Sequence, residues 1–73
     1  MPIIEVKVME KVLSVRDKQA VAQKITDVFA EVVGEAVRPA TWVVIQDVGS
    51  GQWTAGGQPL TTEGVKAMLG VPA

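Results

Sequence analysis

Neither cysteine nor histidine occurs in this chain. Without cysteine there is no disulfide and no thiolate metal site. Without histidine the commonest zinc ligand and the commonest general base are missing. Charge of either sign is scarce and balanced: seven Lys and Arg against eight Asp and Glu, for a net charge of −1. No basic run is present, so nucleic-acid binding lacks its electrostatic footprint. No apolar stretch approaches the roughly 20 residues of a membrane helix. The start carries no charged leader followed by a hydrophobic segment and a cleavage site, and the expected location is the cytoplasm. Repeats, low-complexity tracts and linkers are also lacking. The expectation is one domain over residues 1–73.

What the chain has in excess is hydrophobicity, at 48% of 73 residues. A single core of this size supplies only a few kcal/mol of net stability. Disulfides and metals being excluded, partner subunits remain as support. Large self-association interfaces are therefore expected.

Three segments have clear periodicity. IIEVKVM (Ile3–Met9) alternates, with Ile4, Val6 and Val8 on one face and Glu5 and Lys7 on the other, which predicts a strand. Ser14 with Asp17 three residues on is a capping box for a helix over about Val15–Val33. Its apolar stripe is Val21, Ile25, Val28, Phe29 and Val32, and Lys18, Lys24, Asp27 and Glu31 read as a solvated face. Gly34 ends it, EAVRPA reads as a return loop, and TWVVIQDV (Thr41–Val48) reads as a strand covered on both faces. Strand, helix and strand form a βαβ unit with parallel strands. The fold class is α+β. GSGQWTAGGQP predicts a short hairpin or strand between glycine turns, with no GxGxxG pattern for phosphate. Thr62 is expected to cap a last short helix with Val65, Met68 and Leu69 on its apolar face, ended by Gly70 and Pro72.

One residue offers chemistry that the missing side chains cannot. If Met1 is removed, Pro2 becomes the N-terminus and its nitrogen a free secondary amine. With Met1 attached that nitrogen is an amide and the chemistry is blocked. An ordinary α-amino group titrates at about 7.7–8.0 and a prolyl amine tends higher. Apolar surroundings and nearby cations lower such a pKa toward neutrality, as a general base requires. Ile3, Ile4 and Trp53 are candidates for the dry surroundings, and Lys7, Lys11, Arg16 and Arg38 for the cations. Such a base suits proton abstraction alpha to a carbonyl, and a secondary amine also forms iminium ions with carbonyls. The plain alternative is that a proline after Met1 only promotes methionine removal.

PIIEVKVMEKVLSVRDKQAVAQKITDVFAEVVGE, TWVVIQDV and SGQWTAGG together resemble the 4-oxalocrotonate tautomerase family, from Met1 to about Thr62. The resemblance rests on the Pro2 start, the helix opening SVRDKQ and the glycine-flanked aromatic in GQWTAGG. It implies a β-α-β protomer assembled as dimers or as a homohexamer of three dimers. It also implies catalysis without metal or cofactor, in which the proline is general base for keto–enol or dienol tautomerisation of 2-oxo acids. In relatives the proline serves as an acid in hydration, dehalogenation or decarboxylation. Pro2 matches the catalytic proline, and Trp53 falls where the family walls its pocket with an aromatic.

Two positions depart. Val12 and Trp42 stand where well-known members carry arginines that grip a substrate carboxylate. A doubly charged substrate is thereby put in question. Lys11 beside Val12, or Arg16 or Arg38 in a shifted register, is a replacement cation; Arg38 has a solvated loop role as its alternative. Trp42 reads either as a second pocket wall, suited to an aromatic or less charged keto–enol compound, or as core or interface. Trp53 has an oligomer interface as its rival role. The missing arginines also admit a non-catalytic subunit of a hetero-oligomer. The expected substrate-binding set is Trp53, Trp42, Arg38 and Lys11 around catalytic Pro2.

Overall fold

In a computed structural model, described over residues 2–70, the chain is α+β. Strand β1 (Ile3–Met9) leads into helix α1 (Val15–Val33), a 3-10 turn (Glu35–Ala40) and strand β2 (Trp42–Val48). A second 3-10 turn (Ser50–Gln52) precedes the hairpin strands β3 (Trp53–Ala55) and β4 (Gln58–Leu60), and helix α2 (Thr62–Leu69) follows. β1 and β2 pair in parallel from Ile3–Trp42 to Met9–Val48. A crossover is needed to bring two parallel strands side by side, and α1 is that crossover.

The capping box at α1 forms as its residues predict. Ser14 Oγ accepts the Asp17 N–H at 3.0 Å, and Asp17 Oδ2 accepts the Ser14 N–H at 3.1 Å. These bonds satisfy donors that the first turn leaves orphaned. Ser14→Ala is expected to lower stability by about 1 kcal/mol, read as a shift in urea midpoint with an unchanged slope. No shift would mean that tertiary packing alone fixes the start of α1. At the other end Gly34 has φ +128°, with open space where a Cβ would stand. Backbone conformation, not crowding, requires glycine there.

Several expectations are corrected. EAVRPA is wound into a 3-10 helix with Pro39 inside it. The polypeptide tightens there because Val37 N–H and Thr41 N–H bond back to Gly34 O and Arg38 O. Helix α1 meets the sheet along Lys18, Ala22, Ile25, Thr26, Phe29 and Ala30, with Ala30 only 3% exposed. Val21, Val28 and Val32 flank that line and stay exposed, so the apolar arc is wider than the contact the sheet offers. Within a single chain β2 is covered on its helix side, and Trp42 and Val44 are exposed on the other.

The C-terminal segment closes on the far end of the sheet. Gly56 and Gly57, both with positive φ, form a two-residue turn between Ala55 and Gln58. Two consecutive positive values match the turn whose twist suits paired strands. Thr61, not Thr62, caps α2 by accepting the Gly64 N–H at 3.0 Å. Thr62 is instead buried, with its hydroxyl donating to Glu10 O at 3.2 Å. Gly70 closes α2 in a left-handed conformation; the helix-ending role expected of Pro72 lies outside the described residues. Among the described residues no helix is long and apolar enough to cross a membrane.

Candidate active site

Pro2 stands where the parallel ladder begins. Its carbonyl accepts the Trp42 N–H at 3.0 Å, one rung before Ile3 pairs with Trp42. Proline has no N–H to contribute, so the ladder uses only the carbonyl side of this residue. Pro2 is half-buried and Trp42 is 62% exposed beside it. Trp42 is held from behind by Thr41, a buried residue whose hydroxyl donates to Val37 O at 2.9 Å. Ile3 and Val44 share Trp42's face of the sheet and are also exposed. Next to Pro2 this face is apolar, with Ile3 and Trp42, and Glu5 stands one step further along it, paired with Val44. Met1, whose removal the amine requires, lies outside the described residues.

Arg38 is near this end in sequence but is already occupied. Nε and Nη2 donate to the two carboxylate oxygens of Glu35 at 3.0 and 3.1 Å, and Nη1 donates to Asp27 Oδ1 at 2.7 Å. Hydrogen bonds from Arg38 hold the Glu35 carboxyl below its ordinary pKa of 4.5. Those to Glu35 and then Asp27 push the guanidinium further up. The arrangement braces the 3-10 turn against α1, and Asp27, half-exposed on the face that periodicity assigned it, gains an ion pair there. A depressed carboxylate contributes stability above its unfolded pKa, and the contribution is lost as pH falls through the folded value. Glu35→Gln is therefore expected to be less stable than wild type at neutral pH. The gap should close on acidification below 4.5. Urea midpoints across pH 3–7 check this, and a gap constant with pH would show that the pair carries no such linkage.

Lys11 and Trp53 are at the opposite end. Parallel strands seven residues long separate them from Pro2, about 20 Å at about 3.3 Å per residue. Trp53 is half-buried and its indole N–H donates to Val48 O at 3.0 Å, which pins the hairpin to the end of β2. Lys11 has φ +64°, a conformation that costs a non-glycine residue free energy. It lines a cleft of about 200 Å³ with Glu10, Ser50, Thr62, Glu63 and Lys66. Within one protomer, then, Trp42 alone of the four expected binding residues adjoins Pro2.

Sequence reasoning missed Glu10. Its side chain accepts the Ser50 N–H at 2.8 Å and its carbonyl accepts the Thr62 hydroxyl, while Ser50 Oγ accepts the Thr62 N–H at 3.1 Å. This knot fixes the Lys11 loop. Its partners are 40 and 52 residues away, so no local pattern announces it. Among the described residues no group of His, Cys, Asp or Glu is arranged to hold a metal ion.

The family described as Tautomerase enzyme matches residues 2–63. A 4-oxalocrotonate tautomerase isozyme from Methylibium petroleiphilum has a similar structure, with TM-score 0.70 and 26% identity over 88% of this chain and 97% of that one. An apo unfused 4-oxalocrotonate tautomerase gives TM-score 0.71 and 27% identity, covering 81% of this chain and 93% of its own. TomN, a 4-oxalocrotonate tautomerase homologue of the tomaymycin biosynthetic pathway, shares the fold at TM-score 0.71 and 21% identity, with 99% and 100% covered. No curated protein matches the sequence. The family match spans nearly the whole chain, beginning at Pro2, and by it the protein belongs to the tautomerase family of enzymes.

Proposed function

We propose that the protein is an isomerase interconverting keto and enol, or dienol, forms of 2-oxo acid-type substrates, with the Pro2 amine as general base once Met1 is removed. The observation that carries this reading is the setting of Pro2: half-buried, at the edge of an apolar patch, with its carbonyl tied to Trp42. Desolvation there disfavours the charged amine and brings a prolyl nitrogen toward the range where a base works. The neutral nitrogen takes the proton of the enol O–H. The oxygen's electron pair forms the carbonyl, and the carbon–carbon double bond shifts or opens toward the terminal carbon. The prolinium then returns its proton to that carbon, so nothing is gained or lost.

The remaining expected residues enter from other copies of the chain. Lys11 and Trp53 are too far from Pro2 in their own protomer, so a complete site of Pro2, Trp42, Trp53 and Lys11 needs a neighbour's far end against this near end. The exposed apolar flank of Val21, Val28 and Val32, with Met68 and Leu69 on α2, supports self-association. The proposed assembly is a homohexamer of three dimers, and the proposed location the cytoplasm. Arg38, with three of its N–H groups on carboxylates, serves as a brace rather than as a substrate cation. The test is turnover of a 2-oxo acid enol by protein whose intact mass lacks Met1, beside Pro2→Ala. Equal rates in the two would move the assignment to a non-catalytic subunit.

A further inference from the structure

We infer, on the reading that a neighbouring copy supplies Lys11 and Trp53 to the site at Pro2, that Glu10 is a positioning residue for that reaction. It holds the cation and the aromatic as one preset unit, so that a copy offers both to its neighbour's substrate at a fixed spacing. Glu10 reaches both residues. Its backbone precedes Lys11, and its N–H donates to Val48 O at 3.1 Å. The Trp53 indole N–H donates to that same carbonyl at 3.0 Å. The Glu10 side chain takes a second hold on the tryptophan. Its Oε2 accepts the Ser50 N–H at 2.8 Å, and Ser50 opens the 3-10 turn that runs directly into Trp53. Thr62 closes the ring: its hydroxyl donates to Glu10 O at 3.2 Å and its N–H to Ser50 Oγ at 3.1 Å.

Lys11 marks this ring as more than a clasp on the fold. Its φ of +64° is the sole positive value outside glycine among the described residues. That conformation costs a lysine free energy that glycine avoids. A turn wanted for its shape alone takes glycine, as the chain does at Gly56 and Gly57. Here the strain is kept together with a charged side chain, and the Lys11 ammonium has no ion pair among the described residues. It lines one cleft with Glu10, Ser50 and Thr62, the three residues of the ring. Groups fixed before substrate arrives lose little freedom on binding it and meet it in the reactive geometry. Glu10 supplies that fixing through its carbonyl and N–H on the lysine side and its carboxylate on the tryptophan side.

The experiment uses the full chain without Met1, the enol of phenylpyruvate as the probe, and the indole N–H resonances of isotope-labelled tryptophan as reporters. Trp53→Phe identifies which resonance is Trp53. Glu10→Ala is expected to lower kcat/KM about tenfold or more, the size of one lost charge-assisted contact. It should also shift the Trp53 resonance. Glu10→Gln removes the charge but keeps an oxygen for the Ser50 N–H, and should match wild type in both readouts. Lys11→Gly relieves the backbone, so its urea midpoint should equal or exceed that of wild type while kcat/KM falls. The double variant should lose less than the product of the two single losses, since both act through one contact. Thr62→Val loosens residue 10 from its carbonyl side and is read in place of Glu10→Ala should that variant not fold; it should shift the same resonance and lower kcat/KM. Wild-type turnover in Glu10→Ala or Thr62→Val, an equal loss in Glu10→Gln, or full activity in Lys11→Gly overturns the inference. If Pro2→Ala is inactive beside any of these results, Pro2 stands as the base and only Glu10's role falls. Wild type no faster than Pro2→Ala overturns the Pro2 reading and the inference with it.

Discussion

Pro2→Ala, in protein freed of Met1, is expected to lower kcat/KM for a 2-oxo acid enol about 100-fold or more. Positioned general bases contribute factors of that order. The loss is not total, because the alanine variant still ends in an amine. What disappears is the ring that fixes the nitrogen relative to the strand and keeps it a secondary amine. Protein retaining Met1 should fall lower still, since its nitrogen is an amide with no basic lone pair. Wild-type activity should rise with pH as the amine loses its proton. The fold is expected to be unchanged in the variant. Pro2 contributes to the ladder through its carbonyl, which accepts the Trp42 N–H, and alanine keeps that carbonyl. Circular dichroism and sedimentation should therefore match wild type while turnover collapses. Turnover within threefold of wild type would remove Pro2 from the chemistry.

The second large effect concerns Met9. It is 6% exposed and one of the two buried apolar residues among the described residues, the other being Ala30. Met9→Ala is expected to cost about 2–5 kcal/mol, through lost apolar contact and the cavity left behind. A chain of this size has little more than that to lose, so the variant should be largely unfolded unless assembly rescues it. Met9→Leu, which nearly conserves volume, should cost under about 1.5 kcal/mol. Urea midpoints at matched protein concentration measure both, since self-association shifts apparent stability by mass action. A cost below about 1 kcal/mol for Met9→Ala would mean that the end of the sheet, where Glu10 and Val48 hold Thr62 and Trp53, does not depend on the Met9 side chain.

Local pattern foretold the secondary structure closely. The limits of α1, the capping box, the parallel strands and the hairpin all follow from spacing and turn chemistry, which act over a few residues. What stayed hidden depended on partners far along the chain. Alternation put Ile4, Val6 and Val8 on one face of β1, which the structure part-buries, but gave no reason for Met9 on the other side to be the most buried residue of the strand. The C-terminal segment is tied down next to it, by the Thr62 hydroxyl on Glu10 O and the Trp53 indole on Val48 O. Asp27 looked like one more surface charge until the 3-10 turn brought Arg38 to it. The candidate site shows the same split: Pro2 stands out by its position in the chain, whereas the distance from Pro2 to Lys11 and Trp53 follows only from the parallel register.

The hydrogen bond from Trp42 to Pro2 has a practical consequence for anyone handling the protein. The ladder engages the carbonyl of residue 2 and makes no demand on its nitrogen, for which proline has no hydrogen to offer. Residues added in front of Pro2, as in an affinity tag left on the N-terminus, cap the nitrogen without touching a single rung. Such a preparation keeps that rung but lacks the free amine on which the proposed function rests. Purity and thermal stability are therefore no substitute for an intact mass that begins at proline.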